Sequence, residues 1–517
     1  MEYFDLKCSP EQAASSDYVQ RTLEQLLKKN KSEFQWRIEK KSIDARGRSP
    51  IMQLRIGILP SGIDFPAPTL RHFQLQEPTH TCVIVGSGPA GLFAALRCIE
   101  LNIKPIILER GKDVRARRRD LVSITRHGEV NDQSNYCYGE GGAGTYSDGK
   151  LYTRSTKKGS VRRILETLVQ FGAQENILTE SHPHVGTNKL PGIISAMREA
   201  ILQAGGEVHF ETQVTDFVLD GNKIAEVLCQ NGKRYTSEFV VLATGHSARD
   251  IFELLDRNKI AIEPKAFAIG VRIEHQQQFI DKMQYRCESR GEYLPPAAYS
   301  IVTQVNDRGV YSFCMCPGGI VAPCATEPNG VVTNGWSPSK RNNEWANSGI
   351  VVEAHPKDWE ALGFKGHLGG MKFQRSIEEK AFQVGGKNQF APAQRASDFI
   401  QNKISSDLPI SSYQPGITSS NLRDVFPEFI WKSIREALIE FEKKMPGYAS
   451  NNALLIAPET RTSSPVRIPR ESETLHHPEI QNLFPCGEGA GYAGGIASAA
   501  IDGERVADAM AALIAQA

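Results

Sequence analysis

Three glycines set between two short apolar runs constrain this chain more than any other feature. They lie in TCVIVGSGPAGLFAALRCIELNIKPIILERG, Thr81 to Gly111. Cys82-Val83-Ile84-Val85 reads as a buried strand, and Gly86, Gly88 and Gly91 follow at GxGxxG spacing. Leu92 to Leu101 has helical character, and a second apolar run, Ile106-Ile107-Leu108, ends on Glu109. Each part answers a chemical need. Gly86 permits a tight turn, Gly88 lets the main chain approach a pyrophosphate, and Gly91 lets helix and strand pack closely. Pro89 and Ala90, in this turn, are cofactor-binding candidates as well, and the helix that follows offers N–H groups and a partial positive charge to phosphates. Glu109 lies about 20 residues beyond Gly86, where a dinucleotide fold places the acid that accepts from ribose hydroxyls. GxGxxG alone is weak evidence; with both strands, the helix and the acid it predicts nucleotide binding.

The chain of 517 residues has room for two or three domains. Its net charge of +1 gives no argument for nucleic acid or a membrane surface as the main partner, and no nucleic acid is expected. The opening MEYFDLKCSPEQ has no basic and apolar leader, and no apolar run reaches the about 18 residues of a membrane span. Ten cysteines fall without a disulfide-framework rhythm, so a cytoplasmic location is expected.

Residues 1–68 read as a small α/β module. It has a strand at Tyr3 to Lys7, a helix over Glu11 to Lys29 with Val19, Leu23, Leu26 and Leu27 on one side, and strands at Phe34 to Ile43 and Ile51 to Leu59. LPSGIDFPAP then reads as a linker. No chemistry is apparent here, and packing or partner docking is the expected role. After Glu109 come Arg110 and a basic run, Arg115, Arg117, Arg118 and Arg119. Such a run is ordinarily a solvated helix face; its place after the acid makes Arg110 and Arg117 candidates to touch the dinucleotide. Five glycines then fall between Gly139 and Gly149, in NYCYGEGGAGTYSDGKLYTRS. No strand precedes them, so they are not a second GxGxxG unit. That density lets a main chain lie against something planar or anionic, with Gly141, Gly142, Ala143, Gly144, Thr145 and Ser147 as the candidates. HPHVGTNKL brings His182 and His184, but nothing nearby completes a metal set, and a polar loop entering a pocket is the preferred reading. Strands follow, one of them opening on Val214. FVVLATGHSARD is a buried strand ending at Thr244-Gly245. From about Glu263 the pattern changes to short strands and glycine- and proline-rich loops. At the end, NLFPCGEGAGYAGGIASAAIDG gives a strand, a glycine turn and a long helix from Ile496 that emerges from Gly494-Gly495.

These separated pieces resemble the FAD-binding domain of the glutathione-reductase-like flavoproteins. The resemblance implies that GxGxxG and Glu109 hold the ADP half, that the ATG strand closes the domain, and that CGEGAG, with Gly487 and Glu488, holds the ribityl chain. Glu488 stands where that superfamily usually has Asp, which puts its side-chain contact in doubt. The helix start at Gly494, Gly495 and Ile496 would face the flavin's pyrimidine edge. More closely, GEGGAGTYSDGKL, HPHVGTNKL, CMCPGG, APAQ, PETRTSSPVRIPR and CGEGAGYAGGIASAAIDG resemble the FAD-dependent dehydrogenase family often labelled "NAD-utilizing dehydrogenase". The expected fold is α/β. A Rossmann-like FAD-binding domain is assembled from residues 79–135, 205–258 and 455–517, with a flavin-facing loop and helices at 136–204 and an inserted α+β substrate or cap domain at 259–454.

The chain has neither a second GxGxxG unit nor a CxxC, so electrons are expected from the substrate itself or from a visiting NAD(P)H. The first functional reading is a dehydrogenase or reductase moving hydride between flavin and a small organic substrate. Arg461, Arg467 and Arg470 are candidates to hold an anionic substrate or the flavin edge, against the plainer reading of salt-bridged surface arginines. Lys150 and His184 are weaker acid–base candidates. The competing readings are a flavin monooxygenase, an RNA-modifying flavoprotein, disfavoured by the near-neutral charge, and a non-catalytic flavoprotein scaffold. Cys314 and Cys316 form a CxC with Cys324 beyond it. A metal site lacks a fourth ligand, and a redox pair needs a bent backbone. Buried or pocket-lining thiols are the expectation, with Cys314→Ser and Cys316→Ser keeping FAD bound and neither removing a structural metal.

Overall fold

The computed structural model describes residues 1–153 and 157–516; Arg154 and Ser155, at the end of the glycine-rich loop, lie outside the described residues. Five parallel strands form the central sheet in the order Leu483–Pro485, Phe239–Leu242, His80–Val85, Ile103–Leu108, Glu207–His209. A parallel sheet is covered on both faces, which explains its continuous apolar runs. Side chains alternate along His80–Val85: Cys82 and Ile84 join the core under the Pro89–Glu100 and Ile496–Ile514 helices, while Val83 and Val85 join the core under the Arg249–Arg257 helix. A small antiparallel sheet, Val214–Asp220, Lys223–Cys229 and Arg234–Tyr235, packs on that second face.

The Pro89 and Ile496 helices cross at almost no distance. A methyl group on Gly503 would lie 2.1 Å from the Ala90 carbonyl oxygen, and one on Gly91 would lie 2.0 Å from the Gly86 carbonyl oxygen. Glycine is required at both by close approach. Their neighbours supply the apolar burial: Leu92, Phe93, Ala500 and Val506 are all buried.

A second, seven-stranded sheet carries most of the segment expected as the cap. Its order is Val302–Val305, Arg308–Cys316, Trp345–Ala354, Phe267–Gln276, Leu454–Glu459, Ala391–Arg395, Ile417–Ser419, antiparallel except for the last pair. Leu454–Glu459 pairs in the middle of this sheet. The expected boundary at residue 455 therefore cuts through a cap strand, whose partners lie far away in sequence. The Gly369–Gly385 and Glu428–Lys444 helices bury Phe373, Ile377, Ile434 and Leu438 against it.

The N-terminal module is a three-stranded antiparallel sheet, Glu2–Cys8, Ile51–Pro60, Phe34–Asp44, in that order. Its expected single helix is two, Pro10–Ala14 and Ser16–Leu27. The Ser15 side chain accepts from Tyr18 N and starts the second. Val19 and Leu23 are buried as the spacing predicts, but Leu26 is exposed. The module meets the main body where Lys41 pairs with Glu180.

Gly503→Val is expected to cost about 3 kcal/mol or more, because the crossing helices must part to admit the side chain. A thermal midpoint within a degree of the parent's would contradict this packing.

Candidate functional site

Between the C-terminal ends of the parallel strands and the cap lies a cavity of about 410 Å³, large enough for a cofactor or drug-sized ligand. Strand ends at Val85, Leu108 and Ala243 open onto it, as ligand crevices of α/β sheets do. Its floor carries Gly86, Gly88, Pro89, Ala90, Glu109, Arg110, Val214, Thr244 and Gly245. Its lining also includes Gly142, Ala143, Gly144, Ser147, Lys150, Arg461, Glu488, Gly494, Gly495 and Ile496. The sequence named all of these.

Two helices begin on this wall with no side-chain cap, at Gly88 and Gly495. A methyl on Gly144 would touch Ile496 and Pro89 at 3.3 Å each, so both helix starts flank one glycine. A methyl on Gly88 would meet nothing nearer than Gly142 Cα at 4.0 Å, and one on Gly245, Gly494 or Gly495 would meet nothing within 4 Å. Uncapped N–H groups and bare main chain around a long cavity are the donor set a dinucleotide diphosphate fits.

Six expected residues stand behind the wall. Gly91 packs helix on strand. Arg117 is fully buried, and its guanidinium donates to the carbonyls of Asn135, Tyr136, Gly139 and Glu140 at 2.8 to 3.2 Å, bracing the glycine loop. Gly141 has φ 76 and hydrogen-bonds Ser87, while Thr145 Oγ1 donates to the Glu140 carbonyl at 2.7 Å. Gly487 N donates to Asp502 at 2.8 Å. His184 Nε2 lies 3.2 Å from the Pro338 carbonyl and Nδ1 3.6 Å from Asp148. Arg470 is also displaced from its expected role: it forms a two-pronged pair with Asp502 and stacks on Tyr492 at 3.7 Å. Arg467 is exposed beside the same ring.

Glu109 reaches the cavity, but its oxygens already accept from Ser87 N, Ser87 Oγ, Gly111 N and Gly139 N at 2.8 to 2.9 Å. It ties the glycine turn to the glycine loop. Arg110 pairs with Asp250 at 2.9 Å and covers the Tyr138 ring. Arg461 is buried and grips Glu378 at 2.8 and 3.0 Å, with Arg249 on the same carboxylate at 2.9 Å. Burial alone would raise Glu378; the two guanidiniums reverse this and hold it at about 2. Arg461 Nη1 has no partner among the described residues.

His246, which directly follows the ATG turn, was not anticipated. Burial, then Arg461 and Lys265, push its imidazole down to about 3, so it is neutral, and its Nδ1 lacks a partner among the described residues. Its Nε2 is 3.7 Å from Glu488 Oε1. Burial first, then the neighbouring Cys314, push Glu488 up to about 7. Trp336 and Phe313 also line the cavity. Among the described residues no His, Cys, Asp or Glu group could hold a metal, and no helix is long and apolar enough to cross a membrane.

Residues 266–462 match the family model described as FAD-dependent protein, C-terminal domain-like, and residues 1–58 match a domain of unknown function. That match supports an FAD-binding flavoprotein. A Clostridium beijerinckii protein, itself described as uncharacterized, is 44% identical over 432 residues, covering 82% of this chain and 80% of that protein. The chain belongs to the same family as that protein. A thiamine thiazole synthase of Aeropyrum pernix is 25% identical over 193 residues, 34% of this chain and 59% of the synthase. Among solved structures, a flavin-dependent brominase aligns with a TM-score of 0.38 at 12% identity, covering 85% of this chain and 80% of the brominase.

Glu488 supplies a pH test. Its folded value of about 7 lies above the ordinary 4.5, so it opposes folding increasingly from pH 4.5 to 7 and fully above that. In the flavin-free protein, Glu488→Gln is expected to stabilise by roughly 1–2 kcal/mol at pH 8 and not at pH 4. An equal change at both pH values would contradict the assignment.

Proposed function

We propose that this chain is an FAD-dependent oxidoreductase, a dehydrogenase or reductase of the glutathione-reductase-like superfamily, acting on a small organic substrate held between flavin and cap. The observation that carries the reading is the meeting of two uncapped helix starts across Gly144 on a glycine-walled cavity. The N–H groups at Gly88, Pro89's neighbours and Ala90 would receive the pyrophosphate, and the Gly494–Ile496 helix start the flavin's pyrimidine edge. Glu109 would accept from the adenosine ribose in place of Ser87 Oγ, the one of its four donors that can rotate away. FAD would supply a two-electron acceptor at N5.

The remaining tasks fall to side chains of this chain. The free Nη1 of Arg461 suits an anionic group of the substrate, its other nitrogens being fixed by Glu378. Glu488, near neutral pH in its charge balance, suits proton transfer, with neutral His246 beside it. Trp336 and Phe313 keep water from the ring side.

Heat-released flavin is expected to run as FAD, not FMN, on chromatography. Gly88→Leu is the sharper measurement. Gly88 has φ −71, which any residue adopts, and open space at its Cβ. The variant should fold with an unchanged thermal midpoint when flavin-free, yet retain no flavin, because its side chain fills the pyrophosphate's place. Flavin bound at parent levels would sink the placement. Anaerobic bleaching by NADH, NADPH or a metabolite panel then identifies the electron donor.

A further inference from the structure

The cap strand Arg308–Cys316 is bent where it meets the cavity. Its register against Trp345–Ala354 shifts between Phe313 and Cys316, and Cys314 takes φ 47, a left-handed conformation rare outside glycine. On a straight strand, residues two apart sit about 6.6 Å along the axis, too far for their Cβ atoms to reach the roughly 3.5–4.5 Å of a disulfide. The bulge removes that obstacle. Cys316 turns back on residue 314, its Sγ donating to the Cys314 carbonyl at 3.2 Å.

Two cations brace the bulge. Lys150 Nζ donates to the Met315 carbonyl between the cysteines. Arg272 Nη2 donates to the Cys314 carbonyl at 3.0 Å and stands 3.8 Å from Cys316 Sγ. Arg272 is fully buried and is held by Glu459 at 3.2 Å. The two thiols differ in access: Cys314 lines the cavity that Gly494 and Glu488 also line, and Cys316 lies behind it, fully buried. An accessible thiol backed by a sheltered one, beside fixed positive charge, is an arrangement for attack and resolution.

We propose that Cys314 and Cys316 are a redox-active dithiol that exchanges two electrons with the flavin of this site, which makes small thiols or disulfides its substrate class. This rests on the FAD reading above. Oxidation of the pair forms one S–S bond and releases two electrons and the Cys316 proton; the flavin ring, as the oxidant, takes up both electrons and the proton. In exchange with an external disulfide, the Cys314 thiolate displaces one thiolate of that substrate, and Cys316 then displaces the other as the internal bond closes. The charge state suits this chemistry. The hydrogen bond from Cys316 holds Cys314 down at about 5, with Lys150 and Arg272 helping to outweigh burial, while Cys316 is raised well above its ordinary value. Asp148, Glu459 and Glu488 are the carboxylates that face the pair and oppose the thiolate.

The test reads the thiols directly. Flavin content is measured first by absorbance. The whole protein is then equilibrated anaerobically with graded ratios of reduced and oxidised dithiothreitol, acid-quenched, alkylated with N-ethylmaleimide and digested with trypsin. The peptide of residues 309–340 carries Cys314, Cys316 and Cys324. Mass spectrometry is expected to show a 314–316 bridge that opens as the flavin is photoreduced, with Cys324 alkylated throughout. Cys316→Ser should leave Cys314 forming a one-to-one adduct with dithionitrobenzoate, and Cys314→Ser should abolish that fast reaction, both with the parent's thermal midpoint. Lys150→Met should slow iodoacetamide alkylation of Cys314 at pH 7 about tenfold and move its pH midpoint upward. Flavin-loaded protein whose two thiols stay alkylated at every ratio, or a bridge to Cys324, would overturn the dithiol. A bridge that stays closed while the bound flavin is photoreduced would instead overturn the flavin partnership.

Discussion

Two helices of this protein begin beside one glycine, Gly144, and close packing holds them there. Each helix start carries roughly half a positive charge and several N–H groups without partners. Asp113, Ser160 and Ser15 cap the starts of three other helices with a side chain. At Gly88 and Gly495 it withholds the cap. Bringing two like ends together is unfavourable without an anion, so the crossing has to be enforced by packing. Gly503 against the Ala90 carbonyl, and Gly91 against the Gly86 carbonyl, supply the enforcement, because no larger residue allows the approach.

The glycine loop needs a different kind of support. From Gly139 to Gly149 the main chain makes few ladder hydrogen bonds, and its carbonyls would be orphaned in the interior. Arg117 answers two of them, at Gly139 and Glu140, and with the same guanidinium those of Asn135 and Tyr136 just before the loop. Glu140 is fixed by Arg198 at 2.9 and 3.0 Å and by Val114 N at 2.8 Å. Glu109 links this loop to the pyrophosphate turn. Buried charge here replaces secondary structure, and its cost is offset because every charged atom in the network has a partner.

What could be read in advance was local. The strand, turn and helix from Cys82 to Leu101 announce themselves by period and by glycine spacing, and so does the start of the last helix at Gly495. Residues whose role depends on distant partners could not be placed. Arg117 and Arg470 have the chemistry of ligands, and only the positions of the Asn135–Glu140 carbonyls and of Asp502 make them internal braces. Leu454–Glu459 is apolar enough for either sheet; its partners, Phe267–Gln276 and Ala391–Arg395, lie far upstream. His246 gave no pattern beyond its position after Thr244-Gly245, and the bend at Cys314 is invisible in a strand-like run. Ser15 shows the same limit at short range: one side-chain hydrogen bond divided a helix whose apolar period looked continuous.

The arrangement of the central sheet also dictates when the cavity can exist. Its first strand and helix lie near residue 80, but the strand at Leu483 and the helix at Ile496 arrive roughly 400 residues later. While the chain is being synthesised, the Pro89 helix has no partner for the face that Gly503 will meet, and the apolar edge of Phe239–Leu242 stays unpaired. The cap, whose sheet closes at Glu459, is complete before the domain that encloses its cavity. The nascent chain therefore carries a finished roof over an unfinished floor, and it is in that interval, on the ribosome, that exposed strand edges leave it open to mispairing and to capture by chaperones.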